Sequence, residues 1–305
     1  MLRRLEYLLA VEREGHFGRA ATSCHVSQPA LSAGIAKLEG ELGLELVRRG
    51  GRTALLTDEG RALLPWAREA VSAASSLTIE AGRLREHLTG TLRIATIPTA
   101  AAAVSTMIGA LLRAHDGVRV ELRSMAAERI VDGLRARELD AGLAYVEDPV
   151  AGLRVQRLYR ERLMLVGRGP ATADDVPWSA LAHEPLCLLT PEMQHRRVVD
   201  AALAQAGVTV RPRVEADTFG ALLDLVADGW STVLGRPWLS GRPLPDGVRA
   251  VPLVRPVVAP WVGLLTLDGP VATPMVAALR ASLRGVDVAA RLGGAEADAP
   301  AAGPA

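Results

Sequence analysis

The chain has 305 residues, of which 49% are hydrophobic but only 3% aromatic, and its 35 basic and 34 acidic side chains leave a net charge of +1. That length predicts two or three folding units with cores filled by Leu, Val and Ala, and the balanced charge excludes polyanion binding over the whole surface while allowing a small local DNA-binding face. Cys24 and Cys187 lie too far apart to suggest a disulfide framework, and no stretch reaches the ~18 apolar residues of a membrane span, so the expectation is a soluble cytoplasmic protein without a membrane partner.

The first segment, MLRRLEYLLAVEREG, is too short and too interrupted by charge to be a signal peptide. Its leucines 2, 5, 8 and 9 share one helical face. A second short helix fits Phe17 to Cys24, followed by a tight turn at HVS. Ser27 can cap a third helix by accepting from first-turn amides, where Pro29 is also tolerated. Leu31, Ile35, Leu38 and Leu42 then form a buried seam. Pro29, Ser32, Ala33, Ala36 and Gly40 fall on the opposite face, with Gln28 at the helix start. Two short helices and a tight turn fit either a helix-turn-helix or an ordinary helical hairpin. The run ELVRRGGRTALLTDEG favours the former, because two strand-like pieces around Gly50-Gly51 carry Arg48, Arg49 and Arg52 at their tip, as a wing would. Basic and acidic side chains balance over residues 1–60, so positive charge is concentrated at the wing and at Arg19.

These residues carry a family resemblance. FGRAATSCHVSQPALSAGIAKLEGELGLELVRRGGRTALLTDEGRALL resembles the N-terminal domain of LysR-type transcriptional regulators, through Ala20-Ala21, VSQPALS, LE then LG, the arginine-bearing wing and LT..G. The resemblance implies that Gln28, Pro29 and Ser32 face the DNA groove. Arg19, Ser27, Lys37, Arg49 and Arg52 complete the expected DNA-binding set, the arginines on phosphates and Gln28 and Ser32 on bases. The family usually carries a basic or polar pair where this chain has Ala33 and Gly34, a hydroxyl residue where it has Gly18, and a Leu where it has Cys24. The expected base readout is therefore modest, and specificity leans on half-site spacing, the wing and DNA shape.

Thr57 can cap a long helix running to about His87, with a kink expected at Pro65. Leu63, Ala67, Ala70, Ala74, Leu77, Ala81, Leu84 and Leu88 alternate at spacings of four and three, a heptad seam. This helix either packs on its own domain or pairs with a second copy; the resemblance implies a linker and dimerisation helix, which would set two recognition helices on a near-palindromic site of double-stranded DNA.

Beyond Gly90, strand and helix patterns alternate: 92–99, 101–114, 118–125, 127–139 and 140–146, then 163–169, 184–190, 194–206, 210–217, 218–228, 231–236, 260–268 and a last helix from Pro274 to Arg284. Alternation of this kind predicts an α/β fold with a largely parallel sheet. The resemblance implies a two-lobed effector domain like type II periplasmic binding proteins. The expected divisions are a winged helix-turn-helix at 1–58, a linker helix at 59–89 and an effector domain at 90–292. Its first lobe would span about 91–158 and 268–292 and its second about 159–267, with a disordered tail at 293–305. A small anionic effector would sit between the lobes, against strand-to-helix junctions at Pro98, Thr99 and Ala100, at Thr190 to Arg196, and at Thr218, with Tyr145 at a strand end.

No GxGxxG after a strand, GxxxxGK[ST], HExxH, CxxC or GxSxG occurs, and the six histidines lack ligand spacing, so neither an enzyme nor a cofactor is expected. The expected function is a LysR-type regulator, dimer or dimer of dimers, that binds a promoter, its effector and RNA polymerase. The alternative is a solute-binding or transferase-like two-lobed protein with an N-terminal oligomerisation module.

Overall fold

The structure is a computed structural model that describes residues 1–50, 53–84, 88–168, 174–269, 272–284 and 286–292. It divides into two units, residues 1–86 and 87–305. The expected tail at 293–305 lies outside the described residues.

The first unit begins with α1 (Leu2–Glu14), α2 (Phe17–Ser23) and α3 (Gln28–Leu42). A hairpin of β1 (Val47–Gly50) and β2 (Thr53–Leu56) follows, then α4 (Asp58–Arg83), continuous through Pro65. Leu31, Ile35 and Leu38 of α3 pack with Leu8 and Val11 of α1 and Ala20 and Ala21 of α2. Leu42 does not join this seam: it is 39% exposed in the last turn of α3, where Gly43 in the left-handed conformation ends the helix. Gly34 faces Tyr7, and a Cβ there would lie 2.7 Å from the Tyr7 ring, so a side chain would push α1 and α3 apart.

α4 contributes Leu64 and Ala67 to the core, both at least nine-tenths buried, and Arg68 pairs with Glu12 at 3.1 Å. Farther along, Leu77 is 73% and Leu84 72% exposed. The helix ends at Arg83, short of the expected His87, and residues 85–87 lie outside the described residues. Leu88 is buried after the helix has ended, so it is not part of the α4 seam.

The second unit contains β3 (Gly90–Thr96), α5 (Ala101–Ala114), β4 (Val118–Ser124), α6 (Ala127–Arg135), β5 (Ala141–Tyr145) and β6 (Leu153–Arg160). The chain continues through β7 (Leu163–Gly167), β8 (Val176–Pro177), β9 (Cys187–Leu189), α7 (Gln194–Gln205), β10 (Val214–Ala216) and α8 (Phe219–Ala227). It ends with β11 (Thr232–Gly235), α9 (Arg236–Leu239), β12 (Arg249–Val254), β13 (Trp261–Leu267), α10 (Pro274–Leu283) and α11 (Val288–Arg291). The first lobe is built on a sheet ordered β4-β3-β5-β13-β6 and the second on a sheet ordered β11-β7-β12-β8, with β9 and β10 paired separately.

Two expectations change here. The sheets are mixed, not largely parallel: β13 runs antiparallel to β5 and β6, and β7 antiparallel to β11 and β12. The cause is topological, because the chain leaves the first lobe after β6 and re-enters it through β13. For the same reason residues 261–267, assigned to the second lobe by sequence, belong to the first-lobe sheet. β6 and β12 were not recognisable as strands. β6 is an edge strand with three arginines and no apolar run, and β12 contains Pro252, which stands opposite Met164 just before the strand's pairing passes to β8.

The second lobe shows why its strands read as continuous apolar runs. Leu163, Leu165, Leu188 and Val233 enter one core with Trp178, Val199 and Leu203, while Met164, Val166, Cys187, Leu189 and Leu234 enter another with Phe219, Leu222 and Trp238. Period-two alternation thus buries both faces.

The close approach at Gly34 yields a test. Gly34→Val is expected to destabilise the first unit by about 1–3 kcal/mol through overpacking against Tyr7. Urea denaturation of the full chain followed by circular dichroism measures it; an unchanged first transition would show that α1 and α3 do not need this contact.

Candidate nucleic-acid interface and inter-lobe site

The Ser27 hydroxyl caps α3, accepting from the Ala30 amide at 3.3 Å. Gln28 and Pro29 are exposed in its first turn, Ser32 is half-buried on its flank, and Ala33, Ala36, Lys37 and Gly40 are exposed or half-exposed. The Gln28 side chain lies over Gly18, whose Cβ position would be 3.5 Å from Gln28 Oε1. Apart from the Lys37 ammonium, the presented face is therefore neutral around an exposed amide. Arg19 is exposed, but its guanidinium donates to the Glu14 carbonyl and lies 3.9 Å from the Glu14 carboxylate. The backbone of Arg49 lies in β1; its side chain and all of Arg52 fall outside the described residues.

Three supports for this surface were not read from sequence. His16 caps α2, its Nδ1 accepting from the Gly18 and Arg19 amides at 2.9 and 3.4 Å. Glu39 accepts from the Leu46 and Val47 amides at 2.9 and 3.1 Å and so ties α3 to the start of the wing. The Thr57 hydroxyl accepts from the Gly60 amide at 2.9 Å and donates to the Glu45 carbonyl at 2.7 Å, joining the wing to α4. The N-cap role of Thr57 was legible; the pairings across eight and twelve residues were not.

In the second unit, Pro98, Thr99 and Ala100 form a single 3-10 turn ahead of α5, with Thr99 and Ala100 fully buried. The Thr99 hydroxyl donates to Glu161, a fully buried carboxyl that follows β6. Glu161 also donates its amide to the Pro260 carbonyl at 2.9 Å, so it lies where the two crossings between lobes run side by side. Its carboxyl fills the space above Gly235 of the second lobe, where any Cβ would collide with it. Burial raises the Glu161 pKa to about 7, opposed only by the Thr99 and Tyr145 hydroxyls. The Tyr145 and Tyr159 hydroxyls are both held well above their ordinary range, by burial first and by the Glu161 charge second. Tyr145 lies against Thr99 and Glu161 but makes no hydrogen bond of ordinary geometry with either.

A second contact spans the lobes. Gln194, at the start of α7, accepts from the Tyr145 amide at 3.1 Å and donates to the Tyr145 carbonyl at 3.3 Å. Arg197 pairs with Glu128 of α6 at 2.7 Å.

The remaining sequence candidates separate. Arg196 is not a free fork for an anion: it pairs with Asp200 at 2.9 Å and Glu215 at 2.6 Å and donates to the Leu189 carbonyl at 2.7 Å. His195 is buried edge-on to Phe219 at 5.1 Å, and burial lowers its pKa to about 3, so it stays neutral in the core. The Thr190 hydroxyl is buried without a partner among the described residues. Thr218 is exposed and caps α8, accepting from the Ala221 amide at 3.3 Å. Sequence reasoning missed Glu161, since a lone Glu between two arginines carries no motif, and it did not single out Gln194 within the junction at 190–196.

Two family models account for these two units: the bacterial regulatory helix-turn-helix protein of the lysR family over residues 2–61, and the LysR substrate binding domain over residues 85–287. The chain belongs to the LysR family. It is a LysR-type DNA-binding transcriptional regulator, not an enzyme. Among its LysR relatives is the DNA-binding transcriptional dual regulator OxyR of Escherichia coli K12, 32% identical over 275 residues that cover 88% of this chain and 90% of OxyR. Another is the nitrogen assimilation regulatory protein nac of the same strain, 29% identical over 229 residues, covering 74% of this chain and 75% of nac. A full-length OxyR variant from Pseudomonas aeruginosa superposes with a TM-score of 0.75 at 26% identity, over 94% of this chain and 96% of that one. CbnR complexed with its target DNA shares the fold, with a TM-score of 0.67 at 22% identity, over 93% of this chain and 99% of CbnR. No helix among the described residues of this LysR protein is long and apolar enough to cross a membrane.

The raised carboxyl pKa sets a pH dependence. Glu161 shifts from an ordinary 4.5 to about 7 on folding. The folded state thus holds the proton more tightly; this stabilisation is complete below 4.5 and lost as pH rises through 7. The loss is on the order of 3 kcal/mol for the second unit. Melting curves between pH 4.5 and 8 should show the decline, and Glu161→Gln should remove it; an unchanged decline in that variant would assign it to other groups.

Proposed function

We propose that this regulator reads DNA through the start of α3 and the wing, and responds to a small molecule bound between the lobes of its second unit. The observation that carries the DNA reading is the capped, exposed turn at Ser27-Gln28-Pro29 beside a hairpin bearing arginines. Gln28 supplies a base contact, Ser32 a second one from the flank, and Arg19, Lys37, Arg49 and Arg52 meet phosphates. Because the rest of the α3 face is neutral, half-site spacing and DNA shape carry much of the specificity. Gln28→Ala should cost about 1–3 kcal/mol at a single base pair, with the salt dependence of binding unchanged. A salt series on specific and scrambled duplexes measures both; equal affinity for the two duplexes at every salt concentration would defeat sequence-specific reading.

Two copies pair through the exposed part of α4 in this reading, which sets two reading heads on a near-palindromic promoter site. Leu77 and Leu84, each more than 70% exposed on a heptad-spaced seam, support it. The double variant Leu77→Glu, Leu84→Glu should sediment as a monomer and bind such a site at least tenfold more weakly; a variant that still sediments as a dimer would place the pairing elsewhere. A dimer of dimers, contact with RNA polymerase and a cytoplasmic location belong to the same proposal, and no cofactor is invoked.

The inter-lobe position of the effector is supported by Thr99, Glu161, Tyr145 and Gln194, which join the two lobes. An effector that binds one lobe arrangement more tightly shifts the population toward it. Several relatives are named hydrogen peroxide-inducible genes activators. This chain has one cysteine in its second unit, Cys187, fully buried, with burial raising its pKa. A disulfide within that unit would lack its second sulfur, and a protonated thiol is a poor nucleophile, so the proposed effector acts by binding and not by thiol oxidation.

A further inference from the structure

At the inter-lobe site the arginines of α7 are engaged, and the Glu161 carboxyl is an acceptor on which no cation acts. Both arginines at the start of α7 already hold carboxylates, Arg196 with Asp200 and Glu215 and Arg197 with Glu128. The Thr99 hydroxyl, which a bound anion would need as a donor, donates to Glu161. Glu161 is fully buried, and its second oxygen, Oε2, has no partner among the described residues. The Tyr145 and Tyr159 hydroxyls, close enough to feel the Glu161 charge, are likewise buried and unpartnered. No basic group acts on the Glu161 carboxyl; only Thr99 and Tyr145 favour its charged form.

A carboxyl retained only for structure would have both oxygens satisfied, because an unpaired buried acceptor is costly. Here one oxygen is anchored by Thr99 and the other has no partner among the described residues, at the crossing where the lobes meet, with the Tyr145 hydroxyl close to the same carboxyl. Gly235 leaves the space that the carboxyl fills.

Building on the inter-lobe reading above, we propose that Glu161 is the effector-selecting residue and that the effector presents a hydrogen-bond donor, an amine, amide N–H or hydroxyl, to Glu161 Oε2, with Tyr145 and Tyr159 flanking it. The effector is then neutral or cationic and not the anion expected from sequence. An amine adds an ion pair to the hydrogen bond, so it gains most. Above pH 7, where Glu161 is ionised, a carboxylate without another donor is excluded, because it would bring a second negative charge against a buried one.

The test is a thermal-shift and calorimetric titration of the full chain at pH 8, where Glu161 is ionised, with four matched probe classes: primary amines, primary amides, alcohols and carboxylates on the same linear, branched and aromatic skeletons. Amines, amides or alcohols should raise the melting temperature, and carboxylates on the same skeletons should not. Glu161→Gln, which keeps size and shape, should weaken the best amine or alcohol by about tenfold or more, with circular dichroism verifying its fold. Stabilisation by carboxylates alone overturns the donor proposal while leaving the inter-lobe reading standing. Donor probes that bind wild type and Glu161→Gln equally also overturn it. No shift with any class overturns both the proposal and the reading on which it rests.

Discussion

Glu161 is joined to both lobes and to both chain crossings at once. Its amide donates to the Pro260 carbonyl just before the returning strand β13, its carboxyl accepts from Thr99 of the first lobe, and the same carboxyl lies over Gly235 of the second. A buried carboxyl without a cation is expensive to ionise. Its placement where two mixed sheets share their connections therefore makes the joint sensitive to whatever protonates, or donates to, that oxygen. Gln194 adds a second joint by pairing with both backbone groups of Tyr145, and Arg197 a third. These three contacts concentrate polar interactions on the line between lobes, while each lobe is filled by aliphatic side chains.

The first unit relies on short-range ties of a different kind. α3 is held by an apolar seam against α1 and α2, with Gly34 letting the Tyr7 ring close in. Its far end is fastened to the wing by one carboxylate, Glu39, that satisfies two amides. Thr57 then fastens the wing to α4. The reading turn at Ser27-Gln28-Pro29 thus projects from a rigid scaffold, which suits a surface with few charges, since a modest set of base contacts depends on being held in place.

Much of this was legible from the chain alone where the signal is local. Ser27 and Thr57 are N-caps because a hydroxyl residue precedes an apolar helical period, and both accept the expected kind of amide, whereas Thr218, expected against the effector, is the exposed N-cap of α8. The wing followed from Gly50-Gly51 between short apolar runs. Strand and helix order in the second unit followed from alternation, except at β6 and β12, where arginines and Pro252 hide the pattern, and at β8, α9 and α11, which are too short to show a period. Arg196 illustrates the opposite case. A guanidinium after a strand looks available to a ligand, but Asp200, one helical turn along α7, and Glu215, on β10, claim it.

The sequence by itself determined the family, the capped reading helix and the heptad spacing along α4, because caps, periodicity and motif spacing act within a few residues. Only the tertiary structure decided that β13 returns to the first lobe, that Gly34 faces Tyr7 and that Gln194 closes on Tyr145. It also brought Thr99 to Glu161 across sixty-two positions of chain. Such pairings come from loops that close and sheets that register, and the burial they create turns an ordinary Glu between two arginines into the most perturbed carboxyl among the described residues.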